Sequence, residues 1–253
     1  MERKKTELTT LRRGLDILSL FSEGTPALDT SAVAERMEMS KSTAYKYVQT
    51  LETAGFLVRA EDGRSFKLGP SVLELTSRIP KASALVDVAT PLLKGLVDQT
   101  NETVVLTTIM GTKAVCLARE ESGHSLKLTY EIGATYPLHA GASALVLLAA
   151  METTARARLL RNLRLDRYTD RTIVDRKALA ERIEQITEDG YAVSTGELSE
   201  GVFAVAAPVS VRSGDVLASL AISGPLHRFD LDKQKRYVKL VVSAARDITK
   251  LAG

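Results

Sequence analysis

Tryptophan is absent from the 253 residues, cysteine occurs once and histidine three times. The lone Cys116 excludes an internal disulfide and cannot build a cysteine-rich zinc site. No apolar run reaches the roughly 18 residues that span a bilayer. The opening Met-Glu-Arg-Lys-Lys-Thr-Glu has charges but no apolar stretch behind them, which argues against a signal peptide and for a cytoplasmic protein. A surplus of charge is missing too: 34 Lys and Arg stand against 31 Asp and Glu, a net charge of +3. A strongly basic domain is the usual footprint of a nucleic-acid binder, so total charge gives no reason to expect one. What is present is ordinary, 45% hydrophobic and 26% charged, which excludes disorder as the main state. The length suits one or two domains, each with its own core.

The pattern changes near residue 70. Before it, helical periodicity predicts a helix over 9–21 with Leu11, Leu15, Leu18 and Ile17 as its apolar residues, ended by Glu23-Gly24-Thr25-Pro26. A short second helix begins at Asp29 or Thr30 and ends near Glu38. A third runs from the N-cap Ser40 to about Ala54, with Ala44, Tyr47, Val48 and Leu51 inward and Gly55 as C-cap. Strands at 56–59 and 65–68 flank Glu61-Asp62-Gly63-Arg64, a hairpin signal. After it, helices are expected at 70–78, 85–99, 140–151, 153–162, 175–189 and 231–251, with a break at Pro80-Lys81-Ala82-Ser83. Strands are expected at 103–109, 114–118, 126–130, 191–193, 202–209 and 216–223. Tight turns at Met110-Gly111-Thr112, Glu121-Ser122-Gly123 and Arg212-Ser213-Gly214-Asp215 imply antiparallel neighbours. The class is α+β.

Three helices and a hairpin are the layout of a winged helix-turn-helix. The outer face of the third helix carries Lys41, Ser42, Thr43, Tyr45, Lys46 and Gln49, donors and acceptors that reach base edges and phosphates. Ser40 and the free N–H groups of the helix start add a phosphate site, and Arg64 tips the hairpin. No acid interrupts that face before Glu52. A helical bundle with a solvated polar face is the plainer reading. Glu38 argues against the motif, because it holds a turn position often taken by glycine and is poor at positive φ.

The run Ser40-Lys41-Ser42-Thr43-Ala44-Tyr45-Lys46-Tyr47-Val48-Gln49-Thr50-Leu51 with Gly55-Phe56-Leu57 resembles the recognition helix and wing of the IclR family of bacterial transcription regulators. Pro137-Leu138-His139-Ala140-Gly141-Ala142-Ser143 is similar to that family's signature loop. Gly190-Tyr191-Ala192-Val193, then Glu197, Gly201-Val202 and Ala206-Ala207-Pro208-Val209, resembles its second block, and Ser219 to Pro225 its last strand. The resemblance spans about residues 8–250. It implies a winged helix-turn-helix (1–69), a linker helix (70–83) and a GAF-like effector and oligomerisation domain with an antiparallel sheet (84–253). It also implies binding to double-stranded operator DNA, homodimers or dimers of dimers, and a small organic or aromatic acid as effector.

By the same matching, Leu128, Tyr136, Ala142, Ser143, Ser194, Val202, Ala204, Ala221 and Ser223 line an effector pocket. The chain departs from the family in several places. Ala144-Leu145 replace Gly-Lys, Ser194 replaces an aspartate that touches a small keto acid in some members, Ala204 a cysteine and Ala221 a serine. These changes imply a larger, flatter and less polar effector than glyoxylate or pyruvate. His139 either bonds an effector carboxylate or fixes its loop, and the second reading is favoured. Cys116 reads as a buried core thiol, and His124 and His227 fall in loops without partners.

The alternative is a small-molecule enzyme with an accessory helical domain. It needs a nucleophile with its base, a metal cluster or paired carboxylates, and no such constellation stands out; no cofactor or metal is expected. A pure interaction module would not need the Lys41 to Lys46 surface. Residues 1–69 hold 11 basic and 10 acidic side chains, so placement must matter more than sum. Arg3, Lys4, Lys5, Arg12, Arg13, Lys41, Lys46 and Arg64 fall where a winged helix meets DNA, whereas Glu23, Glu35 and Glu38 fall elsewhere.

Overall fold

The computed structural model describes residues 8–22, 24–77, 80–210 and 216–252. Arg3, Lys4, Lys5, Glu23 and the expected Arg212 to Asp215 turn lie outside the described residues. The chain divides into two compact units, Met1–Ser83 and Ala84–Gly253.

The first unit contains α1 (Thr9–Leu18), β1 (Leu28–Asp29), α2 (Thr30–Arg36), α3 (Lys41–Thr53), β2 (Leu57–Arg59), β3 (Ser65–Leu68) and α4 (Pro70–Ser77). Local chemistry sets most of these limits. The Asp29 carboxylate accepts the Ala32 N–H at 2.7 Å and opens α2. Ser40 Oγ accepts the Thr43 N–H at 3.2 Å and opens α3. Glu38 does adopt a positive φ, +50°, so the turn between them is made at a residue that pays strain for it. The strands form a three-stranded antiparallel sheet in the order β1-β3-β2, the short first strand being one that periodicity had not predicted.

Helix α1 is turned differently from expectation. Ile17 is fully buried among Phe21, Val33, Val48, Leu57 and Phe66, whereas Leu11 is 61% and Leu15 54% exposed. Residues 15 and 17 stand about 200° apart around a helix, so one buried stripe cannot include both. The helix also stops at Leu18, before Phe21.

The second unit is built on a six-stranded antiparallel sheet, order β6-β5-β4-β9-β8-β7. Its elements are α5 (Pro80–Thr100, whose first four residues fall in the first unit), β4 (Thr103–Met110), β5 (Lys113–Glu120), β6 (Thr135–Pro137), α6 (Ala142–Ala150), α7 (Thr153–Asn162), α8 (Arg176–Asp189), β7 (Ala192–Thr195), β8 (Val202–Ser210), β9 (Val216–Pro225) and α9 (Leu231–Ala252). Pro80 opens α5 rather than breaking a helix, as proline does at a first helical position. Gly111 at φ +62° turns the chain between β4 and β5.

Strand alternation separates two cores. Val104, Leu106, Phe203, Val205, Val209, Leu220 and Ile222 point to α5 and α9. Val105, Ala114, Cys116, Ala204, Ala206 and Ala221 point to α6 and α8. One side of the sheet is therefore bulky and the other paved with small residues. The bulky side carries most of the stabilisation, since each fully buried large apolar side chain contributes about 1.5–3 kcal/mol. The small side lets α6, apolar except at Ser143, lie close against the strands. A bulge opposite Leu106 and Thr107 switches β5 between sides: Cys116 faces α6, but Ala118 faces α5 and α9.

The strand expected at 126–130 does not form. Residues 121–134 are an irregular strap, and β6 follows it as the edge strand paired to β5. Over residues 126–130 side chains rather than a ladder hold the carbonyls. Thr103 Oγ1 donates to the Leu128 carbonyl at 2.9 Å, Arg228 to that of Leu126 at 3.0 Å, and Arg119 to that of Tyr130. No helix among the described residues is long and apolar enough to cross a membrane.

Candidate nucleic-acid interface and ligand cavity

In the first unit, Ala44 and Val48 bury the inner face of α3. Lys41, Ser42, Tyr45, Lys46 and Gln49 stand exposed on its outer face, and Tyr45 keeps 51% of its surface in solvent. Thr43 is half-buried and bonded to Ser40 Oγ at 2.8 Å; Ser42 Oγ also lies 3.0 Å from it. Ser40 thus spends its hydroxyl on the helix start. The wing is tied by Asp62, whose carboxylate accepts the N–H groups of Arg64 and Ser65 at 2.9 and 2.8 Å and the Ser65 hydroxyl at 2.7 Å. Those bonds, the Ser65 N–H first, hold its carboxyl below the usual range. Arg64 is left exposed at the tip. Glu52 does not oppose the basic face, because Arg59 pairs with it at 3.0 Å while lying over the Phe66 ring. Of the basic residues outside α3 and the wing, Arg13 is exposed and Arg12 pairs with Asp16 at 3.0 Å.

In the second unit a cavity of about 200 Å³ opens between the small-residue side of the sheet, the N-terminus of α6 and the strap. Leu128, Tyr136, Ala142, Ser143, Ser194, Val202 and Ala204, all anticipated, line it. His139, Ala221 and Ser223 stand behind the wall. The His139 ring, 2% exposed, donates Nε2–H to the Asp166 carbonyl at 2.8 Å and so fixes the loop that enters α6. Ala221 is packed in the core. Ser223 Oγ donates to the Phe203 carbonyl at 2.8 Å and accepts from Tyr130 at 2.9 Å.

Sequence reasoning did not single out Thr107, Tyr130, Gly141, Glu197, Leu198 and Ser199 as lining residues. Strand alternation from Val105 would have found Thr107; the others sit on irregular backbone, which has no period to read. Glu197 matters most chemically. One of its oxygens accepts the Gly141 N–H at 3.4 Å, and burial pushes its carboxyl above the usual range against the opposing effects of that bond and of Arg182. Ser194 Oγ accepts the Ala142 N–H at 3.1 Å. The next two N–H groups of α6, on Ser143 and Ala144, have no acceptor among the described residues. Cys116 lies in the wall's core with its thiol pushed up to about 11 by burial, and it takes no part in the lining.

A winged helix-turn-helix with an exposed polar third helix, joined to a domain with a ligand-sized cavity, defines a ligand-responsive DNA-binding regulator. The sequence matches the IclR helix-turn-helix domain over residues 10–61 and the C-terminal domain of bacterial transcriptional regulator IclR over 80–250. The HTH-type transcriptional regulator BhcR of Paracoccus denitrificans is 31% identical over 96% of this chain and 86% of its own. The Pca regulon regulatory protein of Pseudomonas putida is 29% identical over 95% and 83%. Among solved structures, an IclR homolog from Microbacterium hydrocarbonoxydans complexed with 4-hydroxybenzoate superposes with a TM-score of 0.82 at 25% identity, covering 96% of this chain and 98% of that one. The chain belongs to the IclR family of bacterial transcriptional regulators. Its relatives are regulators rather than enzymes, which sets the enzyme alternative aside.

Proposed function

We propose that the protein controls a catabolic operon, binding operator DNA through α3 and the wing and a small organic or aromatic acid in the cavity. The carrying observation is α3, a capped helix with one buried apolar face and an outer face of Lys41, Ser42, Tyr45, Lys46 and Gln49 in solvent. Arg64 extends that surface, and Ser40 and Thr43 hold the helix start whose dipole favours a phosphate. Two protomers, as a homodimer or within a dimer of dimers, would place two such helices in successive major grooves about 34 Å apart.

The acid reading rests on the cavity. Cavities of about 150 Å³ take up a benzene ring, so about 200 Å³ leaves room for one substituted ring. Leu128, Val202 and Ala204 offer apolar walls, and the open N–H groups of Ser143 and Ala144 a place for a carboxylate. The relative crystallised with 4-hydroxybenzoate supports the same class. A ligand that prefers one conformation by about 1–3 kcal/mol changes operator affinity roughly 5- to 150-fold.

A gel shift with DNA from upstream of the protein's own gene tests the reading. A specific complex at moderate salt that a benzoate-class acid strengthens or dissolves supports it. No specific complex with or without such acids refutes it. Tight calorimetric binding of glyoxylate or pyruvate would overturn the inference of a larger, flatter effector.

A further inference from the structure

The cavity contains its own carboxyl group. Among the lining residues Glu197 is the one ionisable acid, and no Lys, Arg or His joins it. It sits where an acid ligand would be drawn, on the N-terminus of α6, with one oxygen on the Gly141 N–H. The other oxygen has no protein partner among the described residues and is open to solvent at the cavity mouth. The bond it does make is long, 3.4 Å, and its neighbours offer little to hold a full charge. Arg182 of α8 acts from a distance, because its guanidinium donates to the Val193 carbonyl at 2.7 Å. Arg171 donates to Thr195 at 3.1 Å. Tyr136 of β6 and Tyr130 of the strap are neutral, Ser143 and Ser194 carry no charge, and Glu200 is exposed beyond the lining.

A ligand carboxylate on the Ser143 and Ala144 N–H groups would stand one turn of backbone from the Glu197 carboxylate. Two carboxylates sharing one partly buried helix end cannot both stay ionised; one takes a proton. Glu197, already the weaker acid through its burial, is the group that takes it.

We propose that Glu197 is a specificity-determining residue of this cavity, admitting a carboxylate effector only when it holds a proton itself, so that each acid bound carries one proton in. The proposal rests on the acid-effector reading above. The protonated carboxyl then donates to the incoming anion instead of repelling it. Dianions and uncharged analogues are disfavoured for opposite reasons, the first by repulsion and the second because nothing compensates the lost charge-assisted bond. Acidification of the cell interior would sensitise the regulator to its acid.

Isothermal titration of the full-length protein with benzoate and with 4-hydroxybenzoate, at pH 6, 7 and 8 and in two buffers of different ionisation enthalpy, tests this. The wild type should take up close to one proton per ligand, and its affinity should fall by up to about tenfold per pH unit. Glu197→Gln, a permanent stand-in for the protonated form, should bind without proton uptake, with a flat profile and more tightly than wild type at pH 8. The wild-type proton count stands without the variant. Binding by wild type with no proton uptake and a flat profile overturns the proposal and leaves the acid effector in place. Failure of both proteins to bind either acid at any of the three pH values overturns the proposal together with the acid reading.

Discussion

Replacing Arg228 by alanine should cost the effector domain about 3–5 kcal/mol. Arg228 grips Glu102 with two charge-assisted bonds, Nε to Oε1 at 2.8 Å and a terminal guanidinium nitrogen to Oε2 at 2.6 Å. The Glu102 side chain is 3% exposed and that of Arg228 17%, so little water is available to take over either charge. Removing one partner of such a pair leaves an uncompensated buried carboxylate, and that situation costs about 3–5 kcal/mol. In a domain of this size each kcal/mol moves the midpoint by about 2–4 °C, so the expected fall is roughly 6–20 °C. The structure gives no room for the carboxylate to escape toward β9: a Cβ built on Gly224 would already lie 2.3 Å from Glu102 Oε2. Guanidinium and thermal melts followed by circular dichroism read the loss. Calorimetry should also read weaker ligand binding, because Arg228 holds the Leu126 carbonyl within the strap that brings Leu128 and Tyr130 to the cavity. The Glu102→Leu, Arg228→Leu double variant should lose less than Arg228→Ala alone, since it strands no charge. A loss below about 1 kcal/mol for Arg228→Ala would refute the reasoning.

Lys46→Ala should weaken operator binding by about 1–3 kcal/mol if the lysine reads a base, and by a smaller, sequence-independent amount if it meets a phosphate; fluorescence anisotropy across operator variants separates the two. Glu152 caps α7 by accepting from the Thr154 hydroxyl and the N–H groups of Thr154 and Ala155, which lowers its carboxyl from 4.5 to about 2. A depressed carboxyl stabilises the fold above its unfolded value and loses that contribution as pH falls, so the stability-pH curve of Glu152→Gln should be flatter than wild type between about pH 4.5 and 2. Gly55 sits at φ +75°, and a Cβ there would lie 2.5 Å from Ser71 Oγ, a hydroxyl committed to the Ala54 carbonyl. Gly55→Ala should therefore destabilise the DNA-binding unit by about 1–3 kcal/mol in a denaturant melt. Cys116 is fully buried with its thiol pushed up to about 11, so a thiol reagent should label the native protein only at its unfolding rate.

What could be read from the sequence was what short-range chemistry decides. Asp29, Ser40 and Gly55 cap their helices from within three residues, and Asp62-Gly63 closes its own hairpin, so the DNA-binding unit was visible residue by residue. Expectation failed where a distant partner decides. Leu11, Leu15 and Leu18 keep helical spacing, yet the buried position of α1 is Ile17, because the side of α1 that carries it meets Val33, Val48 and Phe66. The run 126–130 has the composition of a strand, but Thr103, Arg119 and Arg228 claim its carbonyls and hold it as a strap.

The cavity shows both sides of that division. Its floor follows from alternation: along β8, Phe203 and Val205 go one way and Ala204 and Ala206 the other, so small residues every second position predict open space beside α6. The departures at Ser194 and Ala204 accordingly fall on the lining. Ala221 obeys the same alternation but lies deeper, where Val105 and Ala206 pair against it and no ligand can reach. Neither the roof nor the charge follows from any period. Tyr130 is fixed by Ser223, 93 residues on, and Glu197 meets Gly141 across 56 residues of chain. The side chains that decide which ligand enters are those whose neighbours only the folded chain supplies. Specificity in this protein can therefore change through the strap and the Glu197 loop while the alanine floor and the α6 packing stay as they are.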